Sequence, residues 1–148
     1  MKHYVACSLI ALFVSASGSA FARPMTETDL ASMKRLASPA VSPDGRLVSY
    51  QLQETDLAAN KRYSDIWLLR TDVADAAPYK AASQPKINEH SPAISADGND
   101  LFYLSNASGS DQLYRLSVRS EKGSTNPANA LQVSDFKTDV AGFKLSWR

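Results

Sequence analysis

Short apolar runs alternate with small and polar residues along most of the chain, and one such pattern returns. Ser38-Pro39-Ala40-Val41-Ser42-Pro43-Asp44-Gly45 reappears as Ser91-Pro92-Ala93-Ile94-Ser95-Ala96-Asp97-Gly98, and a third copy begins as Gly142-Phe143-Lys144-Leu145-Ser146-Trp147. Aligning Ser42, Ser95 and Ser146 gives steps of 53 and 51 residues. A repeat at a near-fixed period decides the architecture before any single residue does. In each full copy a β-type run, Ala40-Val41-Ser42 or Ala93-Ile94-Ser95, leads into an Asp-Gly corner. A second run follows, Leu47-Val48-Ser49-Tyr50 or Leu101-Phe102-Tyr103-Leu104. Strand, corner and strand read as a β-hairpin. Gly45 and Gly98 suit a turn position with positive φ, Pro43 pre-sets φ, and Asp44 can bond the turn backbone. A lone Asp-Gly pair would be no more than a surface turn; two copies with matching flanks point to a true repeat.

The repeat continues past the hairpin. Ser64-Asp65-Ile66-Trp67-Leu68-Leu69 parallels Ser110-Asp111-Gln112-Leu113-Tyr114-Arg115-Leu116, each a third strand with an aromatic near its middle. Pro78-Tyr79-Lys80-Ala81-Ala82-Ser83 parallels Ala130-Leu131-Gln132-Val133-Ser134 as a short fourth strand. Four short strands per repeat of roughly 40–50 residues is the pattern of a β-propeller blade. The expected fold is therefore all-β. It is a partial β-propeller of about two four-stranded blades plus the start of a third, preceded by a signal peptide and a short helix. The expected segments are 1–22 signal peptide, 23–37 helix, 38–83 first blade, 84–134 second blade and 135–148 the truncated start of a third.

The leader is read from its three zones. Lys2 and His3 are polar, Tyr4 to Val14 is an apolar run of 11, and Ser15 to Ala22 is rich in small residues, ending Ala20-Phe21-Ala22. That is the signature of a cleaved secretory signal. The run is too short to span a bilayer, which takes about 20 apolar residues. Export follows, and for a bacterial chain that means the periplasm or beyond. Cys7, the sole cysteine, lies near the start of the apolar run, most of which follows it, so a lipoprotein anchor is rejected, and the mature chain is expected to have no thiol chemistry.

Between leader and blades, Pro24 to Leu36 reads as a helix. Thr26 is the N-cap with Asp29 as capping-box partner, and Leu30, Met33 and Leu36 fall at helical spacing. Lys34 and Arg35 suit its C-terminus. An edge helix packed on the first blade fits better than a membrane or partner helix, because the stripe is short and weakly basic. Glu54 to Tyr63 reads as a long polar connection between the second and third strands, either a binding loop or a surface insertion. Glu121 to Asn129 is a loop.

Charge is balanced, 16 Lys+Arg against 15 Asp+Glu, which argues against nucleic acid as a partner. A hydrophobic share of 44% fits a globular domain. Candidate chemistry is thin. His90 is the one mature histidine, read as a polar residue at a strand start rather than a ligand or base, and no cysteine or carboxylate cluster suggests a metal. Asn106-Ala107-Ser108 matches a glycosylation acceptor and carries little weight in a bacterial chain. No Gly-x-Ser-x-Gly elbow occurs. Catalytic, cofactor and metal residues are all expected to be none.

Taken together, the run Met25-Thr26-Glu27-Thr28-Asp29-Leu30, Lys34-Arg35-Leu36, the Ser-Pro-Asp-Gly repeat and Asn60-Lys61-Arg62-Tyr63-Ser64-Asp65-Ile66-Trp67 resembles the N-terminal region of the prolyl oligopeptidase family of serine peptidases. The likeness is to its secreted bacterial dipeptidyl-peptidase and acylaminoacyl-peptidase types and covers Met25 to Trp147. It departs at Ala96, where the first copy has Pro43, and at Trp147, where proline is usual. The resemblance implies a propeller that screens access to a later α/β-hydrolase domain bearing a Ser-Asp-His triad. None of that triad is carried over. Only structural residues are: Gly45, Gly98, Trp67 and Tyr114. Peptide substrate is then expected only in a full-length parent, with no cofactor, no nucleic acid and no stable membrane anchor, and with open blade edges offering a surface to a protein partner. This chain should be inactive alone. The rival expectation is a periplasmic TolB-like propeller that binds proteins. Two blades and a fragment expose unclosed sheet faces, so marginal folding or aggregation is expected of the isolated chain.

Overall fold

The structure is a computed structural model that describes residues 23–118 and 129–146. The expected leader, Trp147 and most of the Glu121 to Asn129 loop lie outside the described residues. After a short helix α1 (Glu27–Ser32), the strands β1 (Arg35–Val41), β2 (Leu47–Asp56), β3 (Lys61–Arg70) and β4 (Tyr79–Ala82) form one antiparallel sheet in that order. β5 (Glu89–Ile94), β6 (Asp100–Ser105), β7 (Gln112–Ser117) and β8 (Leu131–Gln132) form a second, also in order. Each sheet is one blade, and the all-β propeller expectation holds.

The corner is built identically in both copies. Ser42 Oγ donates to Asp44 Oδ1 at 2.6 Å, that oxygen accepts from the Arg46 N–H at 3.1 Å, and the Leu47 N–H donates to Ser42 Oγ at 2.9 Å. Ser95, Asp97, Asn99 and Asp100 repeat these bonds at 2.6, 3.1 and 2.9 Å. One hydroxyl and one carboxylate thus satisfy the turn amides, which is why Ser-x-Asp recurs. Gly45 and Gly98 stand at φ +72° and +70°, where a side chain would be strained.

The first strands of the two sheets also share a defect. Register breaks between Ala37 and Ala40 in β1 and between His90 and Ala93 in β5. Ser38 (φ 49°) and Ser91 (φ 53°) sit in the left-handed region there, each followed by a proline. A non-glycine residue pays roughly 1–2 kcal/mol for that conformation. The bulge bends each strand at that point.

The core lies between the sheets. Ile66, Leu68, Ala81 and Ala82 of the first blade close on Ile94, Leu101, Tyr103, Tyr114 and Leu116 of the second. Alternation along β3 and β7 puts these residues on the shared face. Tyr103 and Tyr114, opposite each other in register, stack with ring centroids 5.9 Å apart. The equivalent pair in the first blade, Tyr50 and Trp67, lies on the sheet face turned away from the second blade.

Two expectations need correction. The helix does not run from Pro24 to Leu36. Its Thr26–Asp29 capping box forms, but the helix stops at Ser32, and Met33 is already extended. Leu30, Met33 and Leu36 are exposed, so no core holds the apolar stripe. Six residues have little helical stability of their own. Arg35, Leu36 and Ala37 pair instead with Gln53, Leu52 and Gln51, and Lys34 forms an ion pair with Glu54 at 2.5 Å rather than capping a helix end. Glu54 to Tyr63 is likewise not a loop. β2 and β3 stay paired out to Asp56 and Lys61, leaving Leu57 to Asn60 as the turn. Polar side chains do not stop a strand whose two faces both meet solvent. The hairpin is four residues longer on each strand than that of β6 and β7.

Candidate functional site

The chemistry-bearing residues gather at the start of β5, the first strand of the second blade. The connector from β4 turns through Gln84 to Asn88 and delivers Glu89, His90 and Ser91 in succession. At the matching positions the first copy has Leu36, Ala37 and Ser38, and the third has Val140, Ala141 and Gly142. Register proves the equivalence in the first two: Leu36 faces Leu52 as Glu89 faces Ser105. A buried acid and an imidazole therefore replace an aliphatic residue and an alanine in this copy alone.

Glu89 is wholly buried. Its Oε1 accepts from the Gln84 N–H at 3.2 Å, which closes the connector on itself, while Oε2 has no partner among the described residues. Burial foremost, and the Asp65 charge next, push its carboxyl up to about 7, against the pull of Lys80. Burial and the nearness of Glu89 also push the Tyr103 phenol well above its ordinary range.

His90 stands between two groups that the sequence did not connect with it. Its Nε2 lies 3.2 Å from Asp111 Oδ2, and its Nδ1 lies 3.1 Å from Ser91 Oγ. With Nε2–H donating to the carboxylate, Nδ1 accepts from the serine hydroxyl. Serine, histidine and aspartate in line invite comparison with nucleophilic catalysis. That chemistry also needs donors aimed at a developing oxyanion. Ser91 instead is fixed in the bulge of β5, and the imidazole ties this bulge to the start of β7. Asp111 was legible as a strand-start residue, not as a histidine partner, because the pairing depends on how β5 lies against β7.

The residues carried over as structural are placed as follows. Gly45 and Gly98 hold the corners. Tyr114 is buried, and its hydroxyl donates to Gln132 Oε1 at 3.1 Å. Trp67 lies on the open face of the first blade under Lys80, whose Nζ is 5.7 Å from the ring and 2.6 Å from Asp65 Oδ2. The Trp67 Nε1 is buried with no acceptor among the described residues. Among the described residues, no three His, Cys, Asp or Glu side chains come together to hold a metal ion. Sequence reasoning missed Gln112, a wholly buried amide; its Nε2 donates to the carbonyls of Phe136 and Thr138 at 3.0 and 3.1 Å.

Known proteins resemble the chain in sequence and in fold. Over 111 residues the chain is 27% identical to dipeptidyl-peptidase 5 of Porphyromonas gingivalis, covering 74% of this chain and 16% of that protein. The chain is thus similar in sequence to part of a peptidase, in keeping with the resemblance to prolyl oligopeptidase-family propeller regions that its motifs carry. Solved structures agree on the fold. An acylaminoacyl peptidase matches with a TM-score of 0.52 at 19% identity, over 73% of this chain and 15% of its own. The AtxE2 isopeptidase matches with a TM-score of 0.54 at 23% identity, over 82% and 22%. No protein-family model matches the chain. The propeller region thus spans a small part of the curated relative it matches. Among its described residues no helix is long and apolar enough to cross a membrane.

Proposed function

We propose that this propeller region belongs to an exported serine peptidase, where its blades screen the approach of peptides to a hydrolase domain. The observation that carries the reading is the likeness to dipeptidyl-peptidase 5 over 74% of the chain, on a fold of two matched blades. The described residues supply a scaffold for such a role rather than its chemistry. The one Ser-His-Asp contact is spent inside the fold, and the tyrosine stack and aliphatic core are spent on blade packing. Peptide hydrolysis is then a property of the parent, and the propeller contributes access.

The test is the size and activity of the native protein in an envelope extract. An antibody to Asp56–Tyr63 suits it, because the tip of that hairpin is exposed. A species several times larger than 16.1 kDa that cleaves short peptides is the expected result. A species at or below that mass, with no peptidase activity in the immunoprecipitate, would remove the reading. A protein-binding propeller would take its place.

A further inference from the structure

We propose that Glu89 is a protonation-controlled latch between the two blades, seated when its carboxyl is neutral and loosened when it ionises. Its position carries the inference. The repeat puts Leu36, which is exposed, and Val140, which is half-buried, at the matching positions, so an acid stands where the other copies hold an aliphatic side chain. Glu89 is nonetheless wholly buried, on the strand that packs against β1, β2 and β3 of the first blade. One carboxyl oxygen holds the Gln84 N–H and so pins the connector between blades; the other has no partner among the described residues. A buried carboxylate with one hydrogen bond is poorly compensated, whereas the neutral acid is tolerated.

The charges around it do not rescue the ionised form. β3 brings Asp65, which opposes ionisation. β4 brings Lys80, whose ammonium is already paired with Asp65 at 2.6 Å. β6 brings Tyr103, a neutral phenol. β1 and β2 carry Arg35 and Glu54 toward this end of the sheets, and Glu54 is engaged by Lys34. His90, next along β5, is turned to Asp111. The sign follows from the raised value. The unfolded chain releases the proton near 4.5 and the folded chain near 7, so stability is full in acid and is lost as pH rises between the two.

The test is urea unfolding of the full chain at about pH 5 and about pH 8, on wild type, Glu89→Gln, Glu89→Leu and His90→Gln. Wild type and His90→Gln should show a midpoint that falls toward the higher pH. Glu89→Gln should show no such fall, and Glu89→Leu should be the most stable at the higher pH. A fall that survives in Glu89→Gln overturns the latch, as does a wild-type midpoint that rises or stays level. A second measurement does not depend on unfolding. The Glu89 carboxyl carbon, followed by nuclear magnetic resonance, should titrate near 7 and shift the Gln84 amide with it; titration near 4.5 overturns the proposal. The latch needs no peptidase activity, so its failure would leave the peptidase reading untouched.

Discussion

The Asp139 carboxylate accepts a hydrogen bond from the backbone N–H of Asp111 at 2.9 Å, and Asn88 does the same for Ser64 at 3.1 Å. Asn88 and Asp139 are 51 residues apart, the same step that separates the fourth strands. The chain entering each new blade therefore clips itself to the preceding blade's third strand, at Ser64 within β3 and at Asp111 just before β7. The first clip is the better protected: Asn88 is half-buried, and its own N–H donates to Asn106 Oδ1 at 2.9 Å. Asp139 is exposed.

That difference in burial gives a ranking. Asn88→Ala leaves the Ser64 N–H without its acceptor at a buried position, a loss of about 1–3 kcal/mol. Asp139→Ala leaves a group that water reaches, and surface changes of this kind stay within about 0.5 kcal/mol. Asn88→Asp keeps an acceptor and should recover part of the loss. Urea unfolding of the three variants checks the order, and equal effects at both clips would contradict it.

The corners make an opposite pH prediction to the blade joint. The Ser95 hydroxyl first, then the Asn99 side chain and its N–H, hold the Asp97 carboxyl down to about 2. A lowered acid contributes stability that is present above its ordinary value of 3.8 and is lost as pH falls through about 2. Asp97→Asn should therefore flatten the acid limb of the unfolding curve below about pH 4 and leave the slope between 4.5 and 7 unchanged. Stability profiles of wild type and Asp97→Asn separate the two effects; a change confined to the neutral range would refute this assignment.

What could be read from the sequence was whatever the repeat duplicates. Ser-x-Asp-Gly occurs twice because one local hydrogen-bond set makes the corner, so Gly45, Gly98 and the strands around them were legible. The core face of β3 and β7 was not read from the sequence, because equivalent strands turn opposite faces to the joint: Ile66 and Leu68 on β3, Tyr114 and Leu116 on β7. The helix was overextended because Leu30, Met33 and Leu36 keep helical spacing, and spacing says nothing about whether a surface exists to bury it. The hairpin of β2 and β3 was misjudged because polar composition marks exposure, not the absence of pairing. Glu89, Gln112 and the His90–Asp111 contact were hidden for another reason. Each is a departure from the repeat, visible only when the copies are compared position by position, and its partner comes from a strand or connector distant in sequence. Setting Glu89 against Leu36 and Val140 would have flagged the first of them.

Gln112 is the point at which the segment toward the third copy is held, and it offers the most direct structural test. Its Oε1 accepts from Ser134 Oγ at 2.8 Å and from the Phe136 N–H at 3.0 Å, while Nε2 serves the Phe136 and Thr138 carbonyls. One buried amide therefore satisfies backbone groups on both sides of Phe136, whose own ring is exposed. Gln112→Leu keeps the volume and removes both functions, leaving several peptide groups to find water. Each stranded buried group costs about 1–3 kcal/mol, so the segment should come away from the blade rather than remain unsatisfied in place. Lys137 then becomes a trypsin site within a loosened stretch. Limited trypsin digestion should cut Gln112→Leu after Lys137 well before wild type, with β5, β6 and β7 still protected. Equal cleavage rates at Lys137 would mean that residues 134–138 are held by something other than this amide.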